Sequence, residues 1–132
     1  MVKIEFPRPI STNSLYANVR GKGRVKSKDY NTWIWHVTAK LQKQKPLPKF
    51  TEPVRITLAV GTVGVSPNMD GDNCVKAVFD QLVAHGVIPD DNRKWVRGHG
   101  VEWVEGKEGM TVHVQPADAF YSETVDLRGQ IW

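Results

Sequence analysis

Hydrophobic and polar residues alternate along two stretches of the chain, which is the period of a β-strand with one buried face. The first stretch spans residues 2–6, VKIEF, and the second spans residues 54–61, VRITLAVG. Two further strands are predicted over roughly residues 95–104 and 109–115, joined by a turn at the sequence EGKEG. The pattern therefore predicts four strands, two of which are consecutive near the end of the chain.

Two segments have the apolar spacing of amphipathic helices. Over roughly residues 28–44, with Ser27 as the predicted N-cap, the apolar residues recur three or four positions apart: Tyr30, Trp33, Ile34, Val37 and Leu41. Over roughly residues 73–85 the corresponding stripe consists of Val75, Val78, Phe79, Leu82 and Val83. Gly86 follows, and glycine is favoured at the left-handed position that ends many helices. The order β-α-β-α-β-β predicts an α/β (α+β) fold with two helices on one face of a small mixed β-sheet.

The length and composition of the chain restrict the class of protein. Its 132 residues suit a single domain, and a hydrophobic content of 40% excludes a wholly disordered chain. The single cysteine, Cys74, excludes an intrachain disulfide and a CxxC zinc motif. Neither a signal peptide nor a stretch long enough to span a membrane is found, so we expect a soluble protein of the cytoplasm.

Positive charge is concentrated near the amino terminus. The formal net charge is +4 and the pI is about 9.3, a balance compatible with nucleic acid binding. Residues 6–28 contain no acidic residue and six basic ones: Arg8, Arg20, Lys22, Arg24, Lys26 and Lys28. From Arg20 to Lys28 the basic residues occupy every second position, so in an extended chain they would all point to one side. We therefore predict a basic hairpin or arm that contacts phosphates.

Two aspartates flank Gly71 where the second predicted helix begins. In a locally extended loop the Asp70 and Asp72 carboxylates would face the same way and could share one cation. Hard oxygen ligands in an incomplete cage suit Mg²⁺, which keeps waters and shares phosphate oxygens. An EF-hand calcium loop fits poorly, because Cys74 and Val75 occupy the positions of an oxygen ligand and of the turn glycine. A helix cap is the alternative role for either aspartate.

Lys76 and the Asp90-Asp91 pair complete the candidate chemistry. The aspartate pair follows the second predicted helix, and taken alone it would most often be a solvated turn. Lys76 lies one helical turn after Asp72. It is either an i±4 partner of Asp72 or Asp80, or it lies beside a metal ion and neutralises phosphate charge. The four histidines lack ligand spacing, and we interpret them as structural or surface residues: His36, His85, His99 and His113.

The run from Asp70 to Val96, DGDNCVKAVFDQLVAHGVIPDDNRKWV, resembles the signature of RusA-type Holliday junction resolvases. The family pattern is approximately D-x-D-N-x-x-K-x-x-x-D-x-L, followed by a turn with glycine, an Asp-Asp pair and a strand with valine. The segment PRPISTNSLY, followed by a basic loop and a helix, also resembles this family. The resemblance spans about residues 2–115. We expect one RusA-like domain over residues 1–132, with an atypical tail at residues 117–132.

The resemblance implies a homodimeric endodeoxyribonuclease of phage, prophage or bacterial type. Such an enzyme would resolve four-way junctions and other branched DNA in recombination and repair, with Mg²⁺ as cofactor, for which Mn²⁺ can substitute. By position, the resemblance implies Asp70, Asp72 and Asp91 as metal ligands, Lys76 as the catalytic lysine and Asp90 as a supporting acid. The DNA-binding candidates are Arg8, Asn13, Tyr16, Arg20, Lys22, Arg24, Lys26 and Lys28.

Two other functions are compatible with the same residues. A non-catalytic module for structured DNA would use the basic arm and would bind DNA with or without Mg²⁺. A metal-dependent phosphatase or nucleotide hydrolase would use the same carboxylates and act on small phosphate esters, although it would leave the basic arm unexplained.

A length argument favours an active site shared between two subunits. A helix over residues 73–85 would be about 20 Å long, whereas residues 86–89 reach back at most about 14 Å. Asp91 would then fall short of Asp70 and Asp72 of its own chain, unless the helix is shorter or the loop bends. Apolar residues of the tail predict docking onto a surface such as the dimer partner, with an exposed disordered tail as the alternative: Phe120, Leu127, Ile131 and Trp132.

Overall fold

The computed structural model describes residues 1–117 of the chain. Its elements are, in chain order, β1 (Val2–Phe6), a first 3₁₀ helix (Thr12–Ser14), β2 (Tyr16–Val19), β3 (Gly23–Lys26), α1 (Lys28–Gln42), β4 (Val54–Gly61), a second 3₁₀ helix (Gly71–Cys74), α2 (Val75–Ala84), β5 (Val96–Val104) and β6 (Met110–Pro116). Four strands form one mixed sheet in the order β1-β6-β4-β5, in which only β4 and β5 run parallel. The strands β2 and β3 form a separate antiparallel hairpin. The predicted α+β fold, with two helices and a small mixed sheet, is therefore confirmed.

The core lies on one face of the four-stranded sheet. The alternating residues Val54, Ile56, Leu58 and Val60 of β4 are at most 1% exposed, while the residues between them are only half-buried. They belong to one apolar cluster with the predicted stripes of both helices. Both helices therefore cover the same face of the sheet, as the period of the apolar residues indicates.

The first helix begins where the sequence predicts and ends two residues earlier. Ser27 is its N-cap, and the Ser27 side chain accepts a hydrogen bond from the Tyr30 backbone N–H at 3.0 Å. At the other end, Gln44 leaves the helix. Its side-chain amide accepts a hydrogen bond from the Glu5 N–H at 2.7 Å and donates one to the Glu5 carbonyl at 2.8 Å. Gln44 thus pairs the backbone groups of Glu5 on the free edge of β1, which a strand at the edge of a sheet otherwise exposes.

The basic stretch forms the predicted hairpin, from β2 and β3, rather than one extended segment. The chain reverses at Arg20–Lys22, where Gly21 has a φ of 81° and the following Gly23 has a φ of 72°. Glycine adopts this left-handed region without steric cost, so a tight hairpin forms here. Arg24 and Lys26 lie on β3, whereas Lys28 is the first residue of α1.

Neither α-helix among residues 1–117 is long and apolar enough to cross a membrane. The predictions for Phe120, Leu127, Ile131 and Trp132 lie outside the described residues.

Candidate functional site

Asp70 and Asp72 are brought to the surface by the second 3₁₀ helix. Asp70 stands at its N-cap with φ −76° and ψ 140°, but the Asp70 side chain makes no capping hydrogen bond. Within residues 1–117 neither carboxylate has a hydrogen-bond or ion-pair partner, and both residues are exposed. The carboxylates are therefore free to bind a ligand. A side chain that capped the helix would instead be occupied by a backbone N–H.

The acidic turn is held between β5 and the first 3₁₀ helix. A Cβ atom added at Gly71 would lie 3.2 Å from the Val101 Cγ1 atom of β5, so this glycine allows close packing. On the other side, the Thr12 hydroxyl donates a hydrogen bond to the Asn73 carbonyl at 3.0 Å. The PRPISTN segment of the sequence thus supports the turn that carries both aspartates.

Lys76 connects the start of α2 to two carboxylates of its own chain. Its Nζ atom donates to Asp80 Oδ1 at 2.9 Å and lies 3.9 Å from Asp91 Oδ2. The hydrogen bond to Asp80 raises the pKa of the Lys76 ammonium group above its ordinary value, against a partial desolvation that lowers it. Lys76 is thus the i,i+4 partner of Asp80 and, at the same time, a neighbour of Asp91.

Asp90 and Asp91 have different surroundings. The Asp90 carboxylate accepts hydrogen bonds from the Asp91 backbone N–H at 2.7 Å and from the Asn92 side chain at 3.0 Å, so it shapes the turn. Asp91 faces Lys76 instead. Asp90 therefore holds the turn that presents Asp91 to α2.

The chain bends back along α2 between the end of this helix and Asp91. The α-helical part of the predicted segment has ten residues, about 15 Å, and residues 71–74 precede it as a 3₁₀ helix, which rises about 2 Å per residue. After Gly86, whose φ is 76°, the Val87 N–H bonds to the Leu82 carbonyl at 2.9 Å and turns the chain back along α2. The bent loop therefore brings Asp91 to 3.9 Å from Lys76 in the first turn of α2 of its own chain, while a site shared between subunits stays a prediction for Asp70 and Asp72.

Two adjoining clefts surround this group of residues. One, of about 550 Å³, is lined by Asp72, Lys76 and Arg24 among others, and the other, of about 300 Å³, by Lys26 and Asp91 among others. Tyr16 of the hairpin lines both clefts. The basic residues of the hairpin therefore line the same clefts as Asp72 and Asp91.

An aromatic and cationic group fixes this face of the hairpin. The Arg24 guanidinium lies 4.4 Å from the centroid of the Tyr16 ring, and the Lys26 ammonium lies 5.8 Å from that of Tyr30. The two tyrosine rings meet edge to face at 6.0 Å. Tyr30 is 1% exposed, which confirms its predicted core position.

The remaining candidates lie apart from the two clefts. Arg8 pairs with Glu108 at 3.2 Å, and Lys28 lines a shallow surface on α1 with the exposed Trp35. Asn13 is exposed on the first 3₁₀ helix. Two more of the DNA-binding candidates, Arg20 and Lys22, lie in the turn of the hairpin. Asp70 lines neither cleft, and within residues 1–117 no group of three His, Cys, Asp or Glu side chains is arranged to hold a metal ion.

The structure adds two residues that the sequence interpretation did not place in the site. Asp80 binds Lys76, although the sequence offered it only as one possible helical partner. His99 of β5 packs edge to face against Phe79 at 5.3 Å and lines the cleft of Asp72. Its position on β5, two residues before the partly buried Val101, is the signal that could have placed it on the helix-covered face.

The site combines exposed carboxylates and a lysine with a basic hairpin that carries an aromatic ring. This combination is typical of a protein that acts on nucleic acid phosphates. The family model for the endodeoxyribonuclease RusA matches residues 7–115 of the 132-residue chain. The chain therefore belongs to the RusA endodeoxyribonuclease family, and this membership implies Holliday junction endonuclease activity. A search of the curated proteins finds no match.

Proposed function

We propose that this chain is a Mg²⁺-dependent, homodimeric Holliday junction resolvase. It would act in DNA recombination and repair, in the cytoplasm of a bacterial or phage-infected cell. Family membership supports the endonuclease activity and the branched substrate. The observation that carries the finer assignment is the position of Lys76, which lines the cleft of Asp72 and lies 3.9 Å from Asp91.

The chemistry of the acidic turn supports Mg²⁺ as the cofactor. Asp70 and Asp72 offer carboxylate oxygens that no capping bond or ion pair uses within residues 1–117. Mg²⁺ commonly binds one or two protein carboxylates and keeps waters and substrate phosphates as its other ligands. A preformed cluster of three protein ligands is therefore not required, and Asp91 would be the further donor. When bound, Mg²⁺, for which Mn²⁺ can substitute, supplies an activated water and polarises the scissile phosphate.

The other residues of the site would bind and orient the DNA. The Lys76 ammonium group would donate to a phosphate oxygen and offset the negative charge that develops during cleavage. Asp90 would keep Asp91 in place through its bond to the Asp91 N–H. Arg24 would bind a neighbouring phosphate, and the Tyr16 ring would offer a surface on which a base at the branch point can stack. Four further candidates stay predicted phosphate contacts: Arg8, Arg20, Lys22 and Lys28; Asn13 stays a predicted polar contact.

A homodimer suits the symmetry of the substrate. Resolution of a four-way junction needs two cuts in strands related by a two-fold axis, and a symmetric dimer can place one site on each strand. The contact between Lys76 and Asp91 within one chain supports two complete sites, one in each subunit.

Heterodimers test where each site lies. One subunit would carry both Asp70→Asn and Asp91→Asn, and a differently tagged partner would be wild type. If each site lies within one chain, the purified heterodimer keeps one intact site and nicks the junction. If sites are shared, both sites carry a lesion and the heterodimer does not cut. A mass measurement in solution establishes beforehand that the protein is a dimer.

A junction-cleavage assay tests the function itself. Wild type and Asp72→Asn would be incubated with a synthetic four-way junction, with Mg²⁺ or with a chelator, over a range of salt concentrations. We expect the wild type to cut only with the metal and Asp72→Asn to bind the junction without cutting it. A linear duplex of the same sequence controls for branch specificity.

Other outcomes would contradict the proposal. If the wild type binds the junction equally with and without Mg²⁺ and never cuts it, the chain is a DNA-binding module rather than a nuclease. If Asp72→Asn loses binding as well as cleavage, Asp72 has a structural role.

A further inference from the structure

We propose that Asp80 is a positioning residue, which holds the Lys76 ammonium group in the cleft and keeps it from pairing closely with Asp91. This inference rests on the proposed nuclease function, in which Lys76 binds the scissile phosphate. The two distances from Lys76 Nζ carry it: 2.9 Å to Asp80 Oδ1 and 3.9 Å to Asp91 Oδ2. Only the first is within hydrogen-bond range.

Lysine needs a partner to be held in one place. Its ammonium group is a point charge on a flexible four-carbon stem, and fixing that stem costs rotamer entropy. The Lys76 side chain is 52% exposed, so packing alone leaves much of it unrestrained. The bond to Asp80 restricts it before DNA arrives, which lowers the entropy lost on reaching the phosphate.

Asp80 is itself tied to the first helix. Its other oxygen, Oδ2, lies 3.5 Å from the hydroxyl of Tyr30, a residue of the core on α1. The Asp80 side chain is also less exposed than that of Lys76, at 27%. The carboxylate therefore has a fixed position between two helices, as a residue that orients another must have.

The contact between Lys76 and Asp80 leaves the Asp91 carboxylate available for a cation. If Lys76 were to hydrogen-bond directly to Asp91, the ammonium group would occupy oxygens that the proposed site needs for a cation. By holding Lys76 a further ångström from Asp91, Asp80 separates the lysine that binds phosphate from the carboxylate that binds metal. Asp80 thus orients Lys76 and, by the same contact, leaves the Asp91 carboxylate unoccupied.

An ordinary helical ion pair is the competing explanation. Exposed pairs at i,i+4 stabilise a helix only slightly and have no effect on chemistry elsewhere. That explanation predicts a slight loss of stability for Asp80→Asn and an unchanged cleavage rate. Positioning predicts an effect on cleavage that depends on the presence of Lys76.

A double-mutant cycle separates the two explanations. Single-turnover cleavage of a four-way junction would be measured for wild type, Asp80→Asn, Lys76→Met and the double variant. We expect Asp80→Asn to cleave about tenfold to a hundredfold more slowly at unchanged junction affinity. In the Lys76→Met background the same substitution should change nothing, because the residue through which Asp80 acts is gone.

Two variants serve as controls. Glu105→Gln also removes an exposed carboxylate, one that accepts a hydrogen bond from the Thr62 hydroxyl, and should cleave like wild type. Asp80→Glu keeps the charge and should recover part of the lost rate. Thermal melting of each variant establishes that it folds.

The inference is overturned if Asp80→Asn cleaves at the wild-type rate, or if it slows cleavage equally with and without Lys76. Either result leaves the proposed nuclease function standing, since that is tested by the wild type. If the wild type does not cut the junction, both proposals fail together.

Discussion

The Thr12 hydroxyl donates a hydrogen bond of 3.0 Å to the Asn73 carbonyl, across 61 residues of sequence. This bond ties the segment after β1 to the turn that carries Asp70 and Asp72. We expect Thr12→Val to lower the free energy of unfolding by about 0.5–1.5 kcal/mol, the net value of one hydrogen bond. Junction cleavage should fall by more than this loss of stability explains, since the acidic turn loses a support.

Chemical denaturation and a cleavage assay on the same preparation measure the two effects. Thr12→Ser, which keeps the hydroxyl, is the matched control and should retain most of the cleavage rate. Equal cleavage by Thr12→Val and wild type would show that the acidic turn holds its shape without this bond.

Gly71 leads to a second prediction about the same turn. A Cβ atom there would lie 3.2 Å from Val101 Cγ1, so one of the two must shift by a few tenths of an ångström. We expect Gly71→Ala to cleave several-fold more slowly, because small displacements of reacting groups are costly. Its stability should change little, since alanine loses less backbone entropy than glycine on folding and offsets part of the strain.

The compensating variant makes this prediction specific. Gly71→Ala combined with Val101→Ala removes the contact and should restore cleavage toward the rate of Val101→Ala alone. If the double variant is no better than Gly71→Ala, the glycine has another role than close packing.

The fold could be predicted largely from the period of the apolar residues. In β4 and in both helices one face is buried, so the pattern in the sequence repeats the geometry of the structure. The hairpin could not be predicted in detail, because every residue of β2 and most of β3 are exposed and no apolar alternation marks them. The polar, glycine-containing basic stretch nevertheless indicated a hairpin or arm, and the hairpin is confirmed, with its turn at Gly21.

The candidate site was predictable as a set of residues but not as an arrangement. Asp72 and Lys76 line one cleft, and because they are four residues apart their proximity follows from a single turn and the first residues of a helix. The approach of Asp91 to Lys76 depends on the reversal of the chain after Gly86, and this glycine indicates where the helix ends but not the direction in which the chain continues. His99 joins the site from another strand, and its spacing from Val101 indicates the face on which it lies but not which residues of α2 it meets.

Arg24 leads to a prediction about the salt dependence of DNA binding. If its guanidinium contacts one phosphate, Arg24→Gln should reduce the slope of the logarithm of junction affinity against that of salt concentration by about 0.9. Fluorescence titrations at several salt concentrations measure the slope. Lys3→Gln, which removes an exposed charge from β1, is the control and should leave the slope as in wild type. An unchanged slope for Arg24→Gln would place Arg24 outside the DNA-binding surface.

His85, the C-cap of α2, leads to a prediction about acid stability. A positive charge at the end of a helix is normally favourable, but partial burial, and then the charge of Lys45, lower the pKa of this imidazole below its ordinary value. The unfolded chain therefore takes up the proton first as the pH falls. The stability that neutral His85 contributes is fully present above its unfolded pKa, about 6.5, and is lost as the pH falls through the lower, folded value.

Removing either cause should reduce this loss. We expect Lys45→Met to raise the pKa of His85, followed by NMR titration of the imidazole, and to make unfolding less sensitive to pH below about 6.5. Lys43→Met removes a neighbouring exposed lysine and should leave the titration of His85 unchanged, because the charge that acts on the imidazole is that of Lys45. If Lys45→Met left the imidazole titrating as in the wild type, burial alone would account for the lowered pKa.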